Sequence, residues 1–175
     1  MPQNFIKTQL LNAINAIKEN DSNANAVFRA RTELQSGLKC SAQIRNFSLQ
    51  IDEPEQLGGT DEGPNPVELV LAAFGTCQEI IYSAYAAVLN IPLNSINVDV
   101  RGTLNLKGFF GLDEKVPAGF EEISYTTSID SPASSEQLEQ LSNIVEKHCP
   151  VLDILTRKIP VNGKVKITNS LISVN

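Results

Sequence analysis

The 175-residue chain is poor in several of the residues that mark common chemistries. It has one histidine and three cysteines, and 14 Lys and Arg stand against 20 Asp and Glu, for a net charge of −6. With no basic run, the balance argues against nucleic acid or an anionic membrane as the main partner. A single histidine removes most zinc constellations, and with no Gly-x-Ser-x-Gly it argues against a serine hydrolase as well. There is no Gly-rich phosphate loop ending in Lys-Ser or Lys-Thr, and no dinucleotide fingerprint. Three cysteines are an odd count and too sparse for a secreted disulfide scaffold. The first twenty residues carry Asn, Gln, Lys and Glu where a secretory signal needs an unbroken apolar stretch. The longest apolar segment, roughly Val67–Leu89, is interrupted by Glu68, Gln78 and Glu79, which reads as too polar for a bilayer. The expectation is a cytoplasmic protein with reduced thiols, no metal and no cofactor.

What is present is a 42% hydrophobic chain, long enough to bury a core as one domain. Ile6, Leu10, Ile14 and Ile17 recur at helical spacing and stop at Asn20-Asp21-Ser22-Asn23, so residues 1–20 read as an amphipathic helix preceding a single domain over 21–175. From Ala26 to Asp52 the pattern alternates, with a turn at Ser36-Gly37 and a bend near Asn46, predicting a hairpin or a three-stranded meander. Pro54 to Pro66 is loop. Asn65 as N-cap, Pro66 in first position and Glu68 as the capping-box carboxylate then start a long helix that runs to Asn90. The alternation Ile96, Val98, Val100, Gly102, Leu104, Leu106 predicts a long strand, and Ile123, Tyr125, Thr127, Ile129 a second. Ser134 with Gln137 opens another helix, expected to end near His148, with a further one starting at Pro150 and capped by Cys149. Val165 and Ile167 suggest a last strand. Strands and helices come in runs, so the class is α+β with mainly antiparallel sheets.

Cys77 and Cys149 lie on the apolar stripes of helices, where a free cysteine is most often a small buried hydrophobe. Cys149 at the start of a helix faces unpaired backbone N–H groups, which would favour its thiolate. Its neighbour His148 reads as a surface or satisfied histidine. Cys77 follows Gly75 and Thr76, small residues that let another backbone or a substrate approach closely. Without a cationic partner a helical Cys77 would keep a pKa near or above the free value of about 8.5. Cys40, alternating in a strand, reads as ordinary core. Elimination leaves thiol chemistry.

The stretch from Leu57-Gly58-Gly59-Thr60 through Gly63-Pro64-Asn65-Pro66 to Gly75-Thr76-Cys77 resembles the central motif of the OsmC/Ohr family (osmotically induced protein C and organic hydroperoxide resistance protein). His148-Cys149-Pro150-Val151 resembles its second motif, a Cys-Pro at a helix break, and the likeness spans roughly residues 27–167. The resemblance implies an intertwined homodimer, with antiparallel sheets around two long central helices per subunit and sites at the subunit boundary. It implies that Cys77 attacks an organic hydroperoxide, that Cys149 resolves the product as a disulfide, and that an external dithiol reduces it. Peroxidatic members place a glutamate directly after the Asn-Pro and an arginine in the turn between the first strands. Here Val67 and Gln35-Ser36-Gly37 occupy those places, which leaves Glu68 and Arg31 as the nearest supporting candidates. A second function is compatible with the same scaffold: a non-catalytic binder of a small apolar ligand, with Phe109 and Phe110 either as a lid or packed on the N-terminal helix.

Overall fold

The computed structural model describes residues 3–168. Helix α1 (Gln3–Glu19) is followed by strands β1 (Arg31–Ser36), β2 (Lys39–Ile44) and β3 (Phe47–Ile51), then by the long helix α2 (Pro66–Leu89). Strand β4 (Ser95–Leu104), the short helix α3 (Leu106–Phe109) and strand β5 (Phe120–Asp130) come next, and helices α4 (Ser135–His148) and α5 (Pro150–Thr156) complete the order. The strands form two separate antiparallel sheets, a β1-β2-β3 meander and a β4-β5 ribbon. The meander turns at Gly37, whose φ of 59° suits a glycine, and again at Arg45, whose guanidinium lies 5.1 Å over the Phe47 ring. The architecture is α+β, as the order of elements implied.

Helix α2 starts as its sequence dictates. The Asn65 side chain accepts from Glu68 N–H at 2.9 Å, and the Glu68 carboxylate accepts from Asn65 N–H at 2.8 Å, which closes a reciprocal capping box. The helix ends at Asn90, in the left-handed conformation with φ 56°. By length and composition alone the helix is apolar enough to cross a membrane, which corrects the reading of the segment as too polar. In the fold, α2 is a central helix: β4 lies along it and α1, α4 and α5 pack on it. Gly75 makes the β4 contact close, because a Cβ there would sit 3.3 Å from Val100 Cγ2 and 3.6 Å from the Val98 carbonyl. On the other side Tyr82, Ala86 and Ile91 meet Leu141 and Val145 of α4 in the buried core. Helix α1 is tied to the far end of α2, with Gln3 donating to the Ile91 carbonyl at 3.0 Å and Lys7 to Asn90 at 2.7 Å.

The loop between β3 and α2 is organised by one buried carboxylate. Asp52 accepts from the backbone N–H groups of Glu53, Thr60 and Glu62 and from the Thr60 hydroxyl at 2.6 Å. The Thr60 hydroxyl and those N–H groups hold its pKa down to about 2, against the opposing effect of burial. Gly59 and Gly63 are required there, because a Cβ on either would run into the backbone of Glu53 or Gln50. The glycines and the Asp52 acceptor therefore account physically for most of the Gly-Gly-Thr-Asp-Glu-Gly motif.

Two predicted strand limits are corrected. Leu106 and Lys107 leave the β4 ladder for α3, because the Asn105 side chain accepts from Lys107 N–H at 3.1 Å and caps a helical turn instead. The expected last strand at Val165 and Ile167 does not form: residues 157–168 are in no helix and no ladder, with those two side chains 86% and 83% exposed. Their alternation is that of a strand, yet among the described residues no β-edge pairs with them.

Candidate functional site

Seventy-two residues separate Cys77 from Cys149, and the fold brings their sulfurs to 3.4 Å. Helix α2 supplies Cys77, partly exposed, and the α4–α5 junction supplies Cys149, 1% exposed. Both thiols are free. A disulfide is about 2.05 Å long, so a small closure would link them. Cys149 is at once the C-cap of α4 and the N-cap of α5, and Pro150 fixes the break because its ring cannot continue α4.

That break supplies a donor, though not to the expected sulfur. Cys149 makes no side-chain capping bond to α5; the Val151 N–H, the first that Pro150 leaves available, instead lies close enough to Cys77 to favour its thiolate. Burial pushes the Cys77 thiol above its ordinary value, and the Val151 N–H pulls the other way without cancelling that effect. The first-turn donor could have been anticipated from the proline; that it serves the partner thiol depends on how α2 and α5 cross.

The other candidates stand apart from the thiols. Glu68 is engaged in the α2 cap and lies nine residues before Cys77, roughly 13 Å along the helix. Arg31 is exposed at the start of β1, opposite Gln43, on a groove lined by Val27, Phe28 and Arg45 but by neither cysteine. His148 is exposed and stacks on Tyr85 with ring centroids 5.6 Å apart. Cys40 sits partly buried on β2. Phe109 and Phe110 are half-exposed and meet edge to face; Phe109 lines a cavity of about 500 Å3 with Leu57, Val67, Leu71, Leu104 and Phe120.

A polar layer beside the thiols was missed entirely. Gln78, next to Cys77 in sequence, is 1% exposed and has no partner for either side-chain amide atom. It stands one turn from Phe74 and one turn from Tyr82 on the same face of α2. The Phe74 ring meets Tyr125 edge-on at 4.9 Å, Tyr82 donates to Ser142 at 2.8 Å, and Tyr125 donates to Glu146 at 3.3 Å. Burial raises both tyrosines, and the Glu146 carboxylate adds to each. A helical period shows which face these residues share, but not that the face is polar-lined.

The family model for OsmC-like protein matches residues 59–164, a span that includes both cysteines, the glycine loop and the Cys-Pro break. The chain belongs to the OsmC-like family. It is 26% identical over 162 residues to a Mycoplasma genitalium protein named hydroperoxide reductase, covering 89% of this chain and 96% of that one. Its fold is similar to that of an OsmC-like protein from Mycoplasma pneumoniae, with a TM-score of 0.65 at 20% identity over 75% of this chain and 88% of the other. It is also similar to that of an organic hydroperoxide resistance protein from Legionella pneumophila, with a TM-score of 0.57 at 20% identity over 75% and 90%. The family thus includes proteins named for hydroperoxide reduction and resistance.

Proposed function

We propose that the protein is a thiol peroxidase that reduces organic hydroperoxides through Cys77 and Cys149. The observation that carries this reading is the 3.4 Å approach of the two sulfurs. The Cys77 thiolate attacks the outer peroxide oxygen; the O–O bond breaks, and with one proton the products are Cys77 sulfenic acid and an alcohol. Cys149 then attacks the sulfenic sulfur, forming the S–S bond, and its thiol proton leaves with the hydroxyl as water. An external dithiol restores both thiols. The apolar side chains of α2 around Cys77 suit a fatty or aromatic peroxide better than hydrogen peroxide.

The working unit in this reading is a homodimer. Val27, Phe28, Phe47, Val161, Val165 and Ile167 are all more than half exposed on one chain, a larger set of bare apolar side chains than a lone folded subunit keeps. The reduced thiols fit a cytoplasmic setting. The raised Cys77 thiol makes peroxide reduction climb with pH across the neutral range, as the thiolate fraction grows.

Mass spectrometry after one equivalent of cumene hydroperoxide tests the reading. The protein should lose two hydrogens and yield a Cys77–Cys149 linked peptide. Cys77→Ser should abolish peroxide consumption, and Cys149→Ser should stop at a sulfenic acid that dimedone traps. The Phe109-lined cavity favours one other reading, a non-catalytic binder of small apolar molecules; a chain that stays fully reduced with peroxide would select it.

A further inference from the structure

The two sulfurs of the proposed couple are unequal in access, and this bears on how an oxidised pair is reduced. Cys149 is 1% exposed, enclosed at the joint between α4 and α5, whereas Cys77 is partly exposed on α2. Around Cys77 the helix surface of the single chain is open: Ala73 and Thr76 are exposed on the turn before it. Thiol–disulfide exchange needs the entering thiolate to approach one sulfur in line with the bond it breaks, so access decides which sulfur is struck. From these contrasts we infer that the reducing thiol enters at Cys77 and that Cys149 is the sulfur expelled. This rests on the thiol-pair reading above and extends it to the reductive half.

Leaving-group chemistry pulls in the opposite direction. The Val151 N–H at Cys77 would ease departure of Cys77, which corresponds to attack at Cys149. That preference is one of degree. Reaching Cys149 requires opening the α4–α5 joint, where a single residue serves as both caps, and access therefore governs.

The exchange balances as follows. One thiolate of a dithiol attacks Cys77 Sγ, the Cys77–Cys149 bond breaks, and Cys149 departs as thiolate. The second thiol of the reductant passes its proton to Cys149. Its thiolate then attacks the reductant's own bridged sulfur and expels the Cys77 thiolate, which takes up the proton released when the first thiol ionised. Two protein thiols and one reductant disulfide result.

The test oxidises the whole wild-type chain with diamide rather than peroxide, which isolates it from peroxidase activity. Loss of two hydrogens first verifies the Cys77–Cys149 bond. Glutathione is then added for a series of short intervals, each quenched in acid, blocked with N-ethylmaleimide and peptide-mapped. At the earliest intervals glutathione should sit on the Cys77 peptide at more than tenfold excess, with N-ethylmaleimide on Cys149. As a second measurement, glutathione is placed on Cys77 of a Cys149→Ser chain and on Cys149 of a Cys77→Ser chain, and dithiothreitol should release the first at least tenfold faster. Adducts on Cys149, equal adducts on both, or equal release rates overturn the inference. So does failure of diamide to join the two thiols. A diamide disulfide that behaves as expected in a protein that ignores peroxide leaves this inference standing and removes the peroxidase.

Discussion

Alternate residues of β4 and β5 are shielded where α2 lies against the ribbon, while all six side chains of β1 are exposed and Phe47 and Leu49 of β3 stand largely open. The two sheets have similar alternating sequences and opposite surroundings. In the ribbon, the apolar face finds its cover within the same chain, beneath a helix seated closely through Gly75. In the meander only Ala42 and Ile51 are buried, and in residues 157–168 after α5 the same kind of pattern has no cover among the described residues. An apolar face specified by sequence but not satisfied by the chain is the expected footprint of a second copy. The two thiols meet within the one chain, with Cys149 buried and the α2 surface beside Cys77 partly open.

The sharpest way to break this contrast is to truncate a residue on each side. Leu141→Ala, at a position with no exposure, should cost about 2–5 kcal/mol of unfolding free energy by urea titration. Leu49→Asp should leave the folded secondary structure intact by circular dichroism yet shift sedimentation toward a single subunit. Equal destabilisation at the two sites would erase the distinction between the sheets. A smaller effect sharpens the satisfied side: Gln78→Met removes an amide whose two polar atoms are unpartnered, and should raise stability by about 1 kcal/mol in the same titration. A loss instead would show that Gln78 has a partner in the working assembly.

A separate effect concerns the joint between the two regions, where Asp52 anchors the loop from β3 to α2. Its folded pKa of about 2 lies below the unfolded value of about 3.9. A depressed carboxylate stabilises the fold fully above the unfolded value, and that contribution disappears as pH falls from about 4 through 2. Thermal melting of the wild type should therefore fall across that window, and Asp52→Asn should melt lower at pH 7 with a flatter acid profile. Parallel profiles for the two proteins would remove Asp52 as the anchor.

Much of this was legible in the residues. The Asn65 and Ser134 capping boxes, the Gly37 turn, the Pro150 break and the approach allowed by Gly75 each follow from one local rule, and each appears where that rule places it. What escaped the sequence was relational. Leu106 alternates as well as Leu104 does, and only the Asn105 cap separates them. Val165 and Ile167 read as strand because periodicity records a preference, whereas a ladder also requires an edge to pair with. Cys149 was favoured as the thiol facing backbone donors because sequence shows which N–H groups are free, not which sulfur they meet. Gln78, Tyr82, Ser142, Tyr125 and Glu146 come from three elements, and nothing in their spacing joins them.

The single residue shared by α4 and α5 has a mechanical consequence. Bringing the sulfurs from 3.4 Å to bonding distance requires about 1.3 Å of travel, close to the rise of one helical residue. With no spare link at the joint, whatever part of that travel side-chain rotation does not supply is taken up by one or both rods moving as a body. The oxidation state of the pair would then be felt at the end of the last rod, where the uncovered tail begins.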